Sequence, residues 1–227
     1  MSLVPEQLGR GTTIKFDFAL AGPHGVGELP PPITALSLLY PRGFGIVTSG
    51  LGLASCTTTA LETLGPSGCP SRSLMGYGAA TGAIEVGHEV VDEEALTAVF
   101  MAPFDNGEIA LLFFLDAYSP LFAERIFNGR LQPARAPFGG ALTIAVPRIE
   151  SFPEAPDVAL VRLRSTIGPL GITYYNHIHG KFVPYQPSGI ILPHHCPRGG
   201  FPFAARFAFA DGRQLTTHTT VRCPHRL

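Results

Sequence analysis

The sequence has few charged residues, and their signs nearly balance. Charged residues make up 15% of the chain, and the formal net charge is -1 at pH 7. A nucleic-acid binder needs a concentrated basic face. Here Arg125, Arg130 and Arg135 are widely spaced, and Arg162 and Arg164 form an isolated pair. The composition therefore argues against nucleic acid as a partner.

No apolar segment is long enough to cross a membrane. A membrane-spanning helix needs about 20 apolar residues, whereas the longest apolar run, Ile109 to Leu115, has the length of a strand. Residues 1–20 also lack the basic start, long apolar middle and small-residue cleavage site of a secretory leader. We therefore expect no transmembrane segment, and an exported form would be a mature chain from which a leader has been removed.

Recognised catalytic motifs are also missing. The sequence contains neither a G-x-S-x-G nucleophile elbow nor a glycine-rich phosphate loop between a strand and a helix. The segment His88-Glu-Val-Val-Asp92 approaches the H-E-x-x-H zinc motif, but it ends in Asp and its valines favour a strand. Glu93 and Glu94 are adjacent, so on a strand their carboxylates point to opposite faces. We expect no cofactor and no metal, and we favour a non-enzymatic role, with an unrecognised hydrolase as an alternative.

Glycine and proline are abundant, with 26 and 22 residues, and apolar residues make up 45% of the chain. This composition fits many short strands joined by tight turns, and it is too apolar for a disordered chain. Strand-like segments recur, for example Thr12 to Leu20 and Ile109 to Tyr118. We predict one all-β domain over residues 1–227. Its expected architecture is an antiparallel β-sandwich or jelly-roll-like fold of about 10–12 strands with little helix.

Two segments carry a weak helix signal. Thr57 to Leu64 has room for one or two helical turns, and Pro120 to Phe127 fits a helix or a strand equally well. The strand predicted from Gly76 to Val86 contains Gly76, Gly78 and Gly82. Glycine inside a strand marks a bulge or a close approach of another backbone. We therefore expect unusual packing along this strand.

The C-terminal segment has the clearest pattern in the chain. Its phenylalanines all have odd numbers, so on a strand they project from one face, which we predict to be a core face: Phe201, Phe203, Phe207 and Phe209. Asp211-Gly212 is a turn signal, and alternation resumes from Leu215 to Cys223. The segment therefore predicts a β-hairpin.

The four cysteines form two local groups: Cys56 with Cys69, and Cys196 with Cys223. Three pairings are possible in principle. Pairing within each group is favoured, because the predicted hairpin brings Cys196 and Cys223 to the same end, within reach of a disulfide. Two disulfides indicate an oxidising compartment, so we predict a secreted or extracytoplasmic protein.

A zinc site is the alternative explanation of these cysteines. His194 and His195 precede Cys196, and His225 follows Cys223 closely. The knuckle spacing typical of zinc sites is absent, however. Disulfides remain the favoured prediction, and free thiols are a further alternative.

Two motifs carry a family resemblance. The run Cys196-Pro-Arg-Gly-Gly-Phe-Pro-Phe203, followed by an acidic-Gly turn and Cys223-Pro, resembles an uncharacterised family of exported actinobacterial proteins. The segments Leu39-Tyr-Pro-Arg-Gly-Phe-Gly45 and Cys69-Pro-Ser-Arg-Ser-Leu-Met-Gly-Tyr-Gly-Ala-Ala80 look like a second part of its pattern. The resemblance implies export, paired cysteines and a β-rich fold, and it carries over no catalytic residue. Phe201 departs from the pattern, because a Trp is common there.

One segment stands out as a possible ligand-binding patch: Tyr174, Tyr175, His177 and His179. On a strand both imidazoles would project to one side, and the aromatic faces would suit a sugar or an apolar ligand. No carboxylate or further His stands at metal-binding spacing. We therefore expect a secreted or cell-envelope structural or interaction protein, whose partner is a protein or a small apolar or carbohydrate ligand. The alternative is a lipid- or carbohydrate-binding β-sandwich.

Overall fold

The computed structural model describes residues 1–22, 28–46, 54–86, 89–104, 107–120, 122–151 and 156–224. It confirms the prediction of an all-β antiparallel fold. The strands are β1 Ser2–Val4, β2 Gly11–Ala19, β3 Ile33–Pro41, β4 Gly45–Ile46, β5 Leu74–Val86, β6 Glu89–Met101, β7 Ala110–Ser119, β8 Ala123–Pro133, β9 Phe138–Ala145, β10 Ala159–Ile167, β11 Tyr174–Ile178, β12 Lys181–Tyr185, β13 Ile190–Ile191, β14 Phe201–Phe209 and β15 Gln214–Val221. The structure has more strands than predicted, because it includes β1, β4 and β13, which have only two or three residues each.

One α-helix, α1 Thr58–Leu64, lies in the described ranges, with short 3-10 turns at Gly65–Gly68 and Ser71–Ser73. The Thr57 hydroxyl caps α1 by accepting a hydrogen bond from the Ala60 amide at 3.1 Å. The second helix candidate is a strand, because residues from Ala123 onward pair with β7. No helix among the described residues has the length and apolarity that a bilayer crossing requires.

Most strands belong to one 13-stranded sheet. Its order is β15-β14-β3-β9-β8-β7-β6-β5-β10-β2-β13-β4, with β1 added to β2, while β11 and β12 form a separate hairpin. The sheet nearly closes on itself, which brings β2 close to β14. Opposite walls of one continuous sheet therefore pack face to face, as the two layers of a sandwich do.

The odd-numbered phenylalanines of β14 point into the space that the sheet encloses. Phe201, Phe203 and Phe207 are at most 2% exposed, and Phe209 is half-buried against the core cluster that contains Phe207. β14 and β15 form the predicted hairpin, and the predicted turn joins them. The prediction of a core face is thus confirmed.

The glycines of β5 allow the predicted close packing. A Cβ added to Gly76 or Gly78 would collide with the carbonyl oxygen of Thr166 or Arg164 on the neighbouring strand β10. β5 consequently lies unusually close to β10 and presents almost no side chain to the interior at these positions.

Candidate functional site

Six neighbouring strands place their inward residues in level rings, because the antiparallel register aligns them across the sheet. In the order β2, β10, β5, β6, β7 and β8, the first ring is Ile14, Ile167, Gly76, Val99, Phe113 and Phe127. The second ring is Phe16, Ser165, Gly78, Thr97, Leu115 and Arg125. The third ring is Phe18, Leu163, Ala80, Ala95, Ala117 and Ala123.

The third ring contains four alanines on four adjacent strands, which we call the alanine wall: Ala80, Ala95, Ala117 and Ala123. Because these side chains are short, they leave a cavity of about 140 Å³ inside the sheet. Phe16, Leu36, Phe113 and Phe127 lie among the larger residues that complete its lining. An apolar cavity of about 150 Å³ is large enough to bind benzene.

Beside the cavity, aromatic rings of β2 and β14 pack in a row, which we call the phenylalanine seam: Phe16, Phe18, Phe207 and Phe209. Ring centroids of consecutive members lie 6.5, 5.0 and 6.4 Å apart. The 5.0 Å contact joins Phe18 of β2 to Phe207 of β14, two strands that share no backbone ladder among the described residues. Side chains therefore close the sheet at this point.

A few polar groups line the cavity, mainly in the second ring. The Thr97 hydroxyl oxygen is fully buried and has no hydrogen-bond partner among the described residues. The Ser165 hydroxyl donates weakly to the Tyr77 carbonyl oxygen at 3.5 Å, and the Arg125 guanidinium donates to the Glu124 carbonyl oxygen at 2.9 Å. A buried hydroxyl left unsatisfied costs about 1–3 kcal/mol, so Thr97 is the exceptional member.

Glu93 precedes Ala95 on β6, so the alanine wall lies between Glu93 and the second ring. The register pairs Glu93 with Gly82 of β5. Its side chain faces the interior, and the residue is only 6% exposed. Glu94 instead faces outward, where its carboxylate accepts a hydrogen bond from Thr81 at 3.3 Å. The expected divergence of these two carboxylates is confirmed.

The cavity reaches solvent at a mouth formed by residues 146–150 and their neighbours. Pro147, Arg148 and Glu150 line the cavity and are exposed. The Val158 amide donates to the Ile149 carbonyl oxygen at 2.8 Å, and Arg148 lies 3.7 Å from the carboxylate of Asp157. These contacts hold the two edges of the mouth together.

The predicted Tyr–His patch is divided by the structure. Tyr174 is fully buried, and its hydroxyl donates to the Leu74 carbonyl oxygen at the start of β5. Burial raises the pKa of this phenol well above its usual range. Tyr175 is 50% exposed. Tyr174 thus anchors the β11–β12 hairpin to the main sheet, and its ring is not free to contact a ligand.

The two histidines do not share a strand face. β11 ends at Ile178, and His179 lies in the following turn with a φ of 47°. The prediction that both imidazoles project to one side of a strand is therefore wrong, because the chain reverses at His179-Gly180. His177 is exposed and packs against Phe182, with ring centroids 5.2 Å apart.

Both predicted disulfides are present. The Cα atoms of Cys56 and Cys69 are 5.0 Å apart, and those of Cys196 and Cys223 are 5.9 Å apart. No described cysteine is free, so the zinc alternative has no thiolate to use. His88 of the approximate zinc motif and His225 beside the second disulfide lie outside the described residues.

Sequence reasoning identified the cysteines and the aromatic hairpin but missed the cavity. The signal it lacked is the alignment of small residues across strands that are distant in the chain. Comparisons with protein-family models, with curated proteins and with solved structures find no match for this chain. The resemblance to exported actinobacterial proteins therefore stays a prediction.

Proposed function

We propose that the protein binds a small, mainly apolar molecule inside its nearly closed sheet. The observation that carries this proposal is the alanine wall, which leaves a cavity of about 140 Å³ among large apolar side chains. Small-molecule sites are typically apolar concavities with a few well-placed polar groups. The second ring and Glu93 supply such groups, and the mouth supplies access.

The size of the cavity argues against an accidental packing defect. Protein interiors pack densely and contain few voids larger than a water molecule. At the rate measured for cavities left by leucine truncation, a fully enclosed space of this size costs about 3 kcal/mol, which is an upper bound here because the cavity opens at the mouth. That is a large fraction of a typical folding free energy of about 5–15 kcal/mol. A bound molecule would offset this cost.

Binding is favoured over catalysis by the residues that line the cavity. The described lining includes no His, Cys or Lys, and its charged and hydroxyl-bearing residues are Glu93, Thr97, Arg125, Arg148, Glu150 and Ser165. Histidine is the commonest general base near neutral pH, and a Ser or Thr hydroxyl needs an adjacent base to become a nucleophile. We therefore favour a ligand-binding protein over an enzyme, and the cavity favours it over the structural or interaction role, with a small molecule as the partner.

We further propose that the protein acts outside the cytoplasm. Two disulfides support an oxidising compartment, in agreement with what the family resemblance implies. Intact mass before and after reduction, together with metal analysis, tests this step. We expect a gain of about four hydrogens and no zinc, whereas an unchanged mass with stoichiometric zinc would overturn both the disulfides and the location.

The binding proposal is tested by filling the cavity. We expect the purified protein to bind benzene or toluene in a heteronuclear NMR titration. Ala117→Leu places a larger side chain in the alanine wall and should abolish this binding. Ala145→Leu is the matched control, because Ala145 is exposed on β9, and it should bind as the natural protein does.

Thermal unfolding of both variants verifies that they are folded. The proposal would be overturned if the natural protein binds neither probe. It would also be overturned if folded Ala117→Leu binds as tightly as Ala145→Leu.

A further inference from the structure

We propose that the natural ligand carries a hydroxyl group, which is held by Thr97 above Gly78 while the apolar part of the ligand packs against the alanine wall. This assignment rests on the proposed function and adds the chemical class of the ligand. Nothing in the chain's local sequence singles out Thr97. Its role follows from its position in the second ring.

The Thr97 hydroxyl is placed to receive a ligand group. It can donate one hydrogen bond and accept two, yet its buried oxygen uses none of these with the described residues. A Cβ added to Gly78 would lie 2.8 Å from this oxygen. The hydroxyl therefore lies next to Gly78, where β5 has no side chain.

The surroundings of Thr97 direct a ligand toward it. Its neighbours in the ring are Gly78 and Leu115, and Ala95 lies next to it on the same face of β6. Ser165 stands on the far side of Gly78 as a second hydroxyl. A molecule entering from the mouth would pass the alanine wall and present its inner end to this polar position.

The cavity also limits the size of the ligand. A volume of about 140 Å³ resembles the cavities that accept benzene, so the buried part should have on the order of six to eight non-hydrogen atoms. A ring or short branched chain with one hydroxyl fits this description.

A neutral hydroxyl suits the cavity better than a carboxylate does. The lining is mainly apolar, so a carboxylate entering this poorly solvated space would lose its hydration at a large cost in free energy. A hydroxyl both donates and accepts, which matches the capacity that Thr97 leaves unused.

The experiment compares benzene, phenol and benzoate on the natural protein and on Thr97→Val. Phenol loses more hydration than benzene on entering an apolar cavity, so it gains on benzene only where it finds a hydrogen bond. We expect the natural protein to bind phenol at least as tightly as benzene. In Thr97→Val the affinity for phenol should fall about tenfold, while that for benzene should be unchanged.

Thr216→Val is the matched control, because Thr216 is an exposed threonine of β15. It should leave both affinities unchanged. The assignment is overturned if Thr97→Val lowers the affinity for both probes equally, or if benzene binds and phenol does not. Preferential binding of benzoate that is lost in Arg125→Gln would replace the hydroxyl with a carboxylate. Failure of all three probes would instead remove the proposed function itself.

Discussion

The alanine wall and the phenylalanine seam line the same interior with side chains of very different size. Along the wall, β5, β6, β7 and β8 are joined by continuous backbone ladders. At the seam, no ladder joins β2 and β14 in the part of the chain that the structure describes, and Phe18 and Phe207 meet at 5.0 Å instead. Where hydrogen bonds hold the strands together, side chains are free to leave space. Where they do not, aromatic packing supplies the cohesion.

The largest expected effect is at the seam. Phe207→Ala should lower the free energy of unfolding by about 3–5 kcal/mol, because it removes a ring that is 2% exposed and bridges β2 and β14. Chemical denaturation measures this loss. Leu215→Ala is the control, since Leu215 is paired with Phe207 across the hairpin but is 46% exposed. A loss below about 1 kcal/mol for Phe207→Ala would mean that the seam does not hold the sheet closed.

The two disulfides lie in different parts of the molecule, so each can be tested separately. Cys56–Cys69 joins the segment that packs over the outside of β6 and β7, near Phe100 and Leu112. Cys196–Cys223 closes the hairpin that carries the seam. Replacing either pair by alanine should cost about 3 kcal/mol in the unfolding free energy. If replacing Cys56 and Cys69 cost much less than replacing Cys196 and Cys223, the segment packed on the outside of β6 and β7 would contribute little to folding.

At the wall, one substitution should increase stability. Thr97→Val removes a buried hydroxyl without a partner among the described residues, so the ligand-free protein should gain about 1 kcal/mol. Thermal unfolding without ligand measures the gain, and Thr216→Val should change little. A destabilised Thr97→Val would show that the hydroxyl already contributes to the fold.

The smallest expected effect concerns an ion pair on the outer surface of β2. Arg162 donates two hydrogen bonds to the Asp17 carboxylate, at 3.0 and 2.7 Å, and these lower the pKa of Asp17. The stabilisation is therefore present above the unfolded pKa of about 3.9 and is lost as pH falls through the folded pKa. Both side chains are nearly half exposed, so solvent screens the pair and the stabilisation should be small.

Asp17→Asn should lose this contribution near neutral pH and flatten the decline in stability as the solution is acidified. Denaturation at several pH values measures it, with the exposed Glu62→Gln as control. An unchanged pH profile for Asp17→Asn would mean that the pair is too solvated to contribute.

Local features of the sequence were the ones that predicted structure. The alternation of phenylalanines in β14 and the placement of the cysteines depend on residues close together in the chain, and both predictions are confirmed. The β5 glycines also indicated a close approach of another backbone. The patch from Tyr174 to His179 misled, because its pattern did not reveal the turn at His179.

The sequence by itself determined the strand-rich composition and the inward face of the closing hairpin, and it favoured the disulfide pairing, because these features depend on side-chain period or local geometry. Only the tertiary structure decided that Ala80, Ala95, Ala117 and Ala123 share one level and that Thr97 lies over Gly78. These residues come together through the register of four strands. Register depends on how the whole sheet buries its faces, which no single segment specifies.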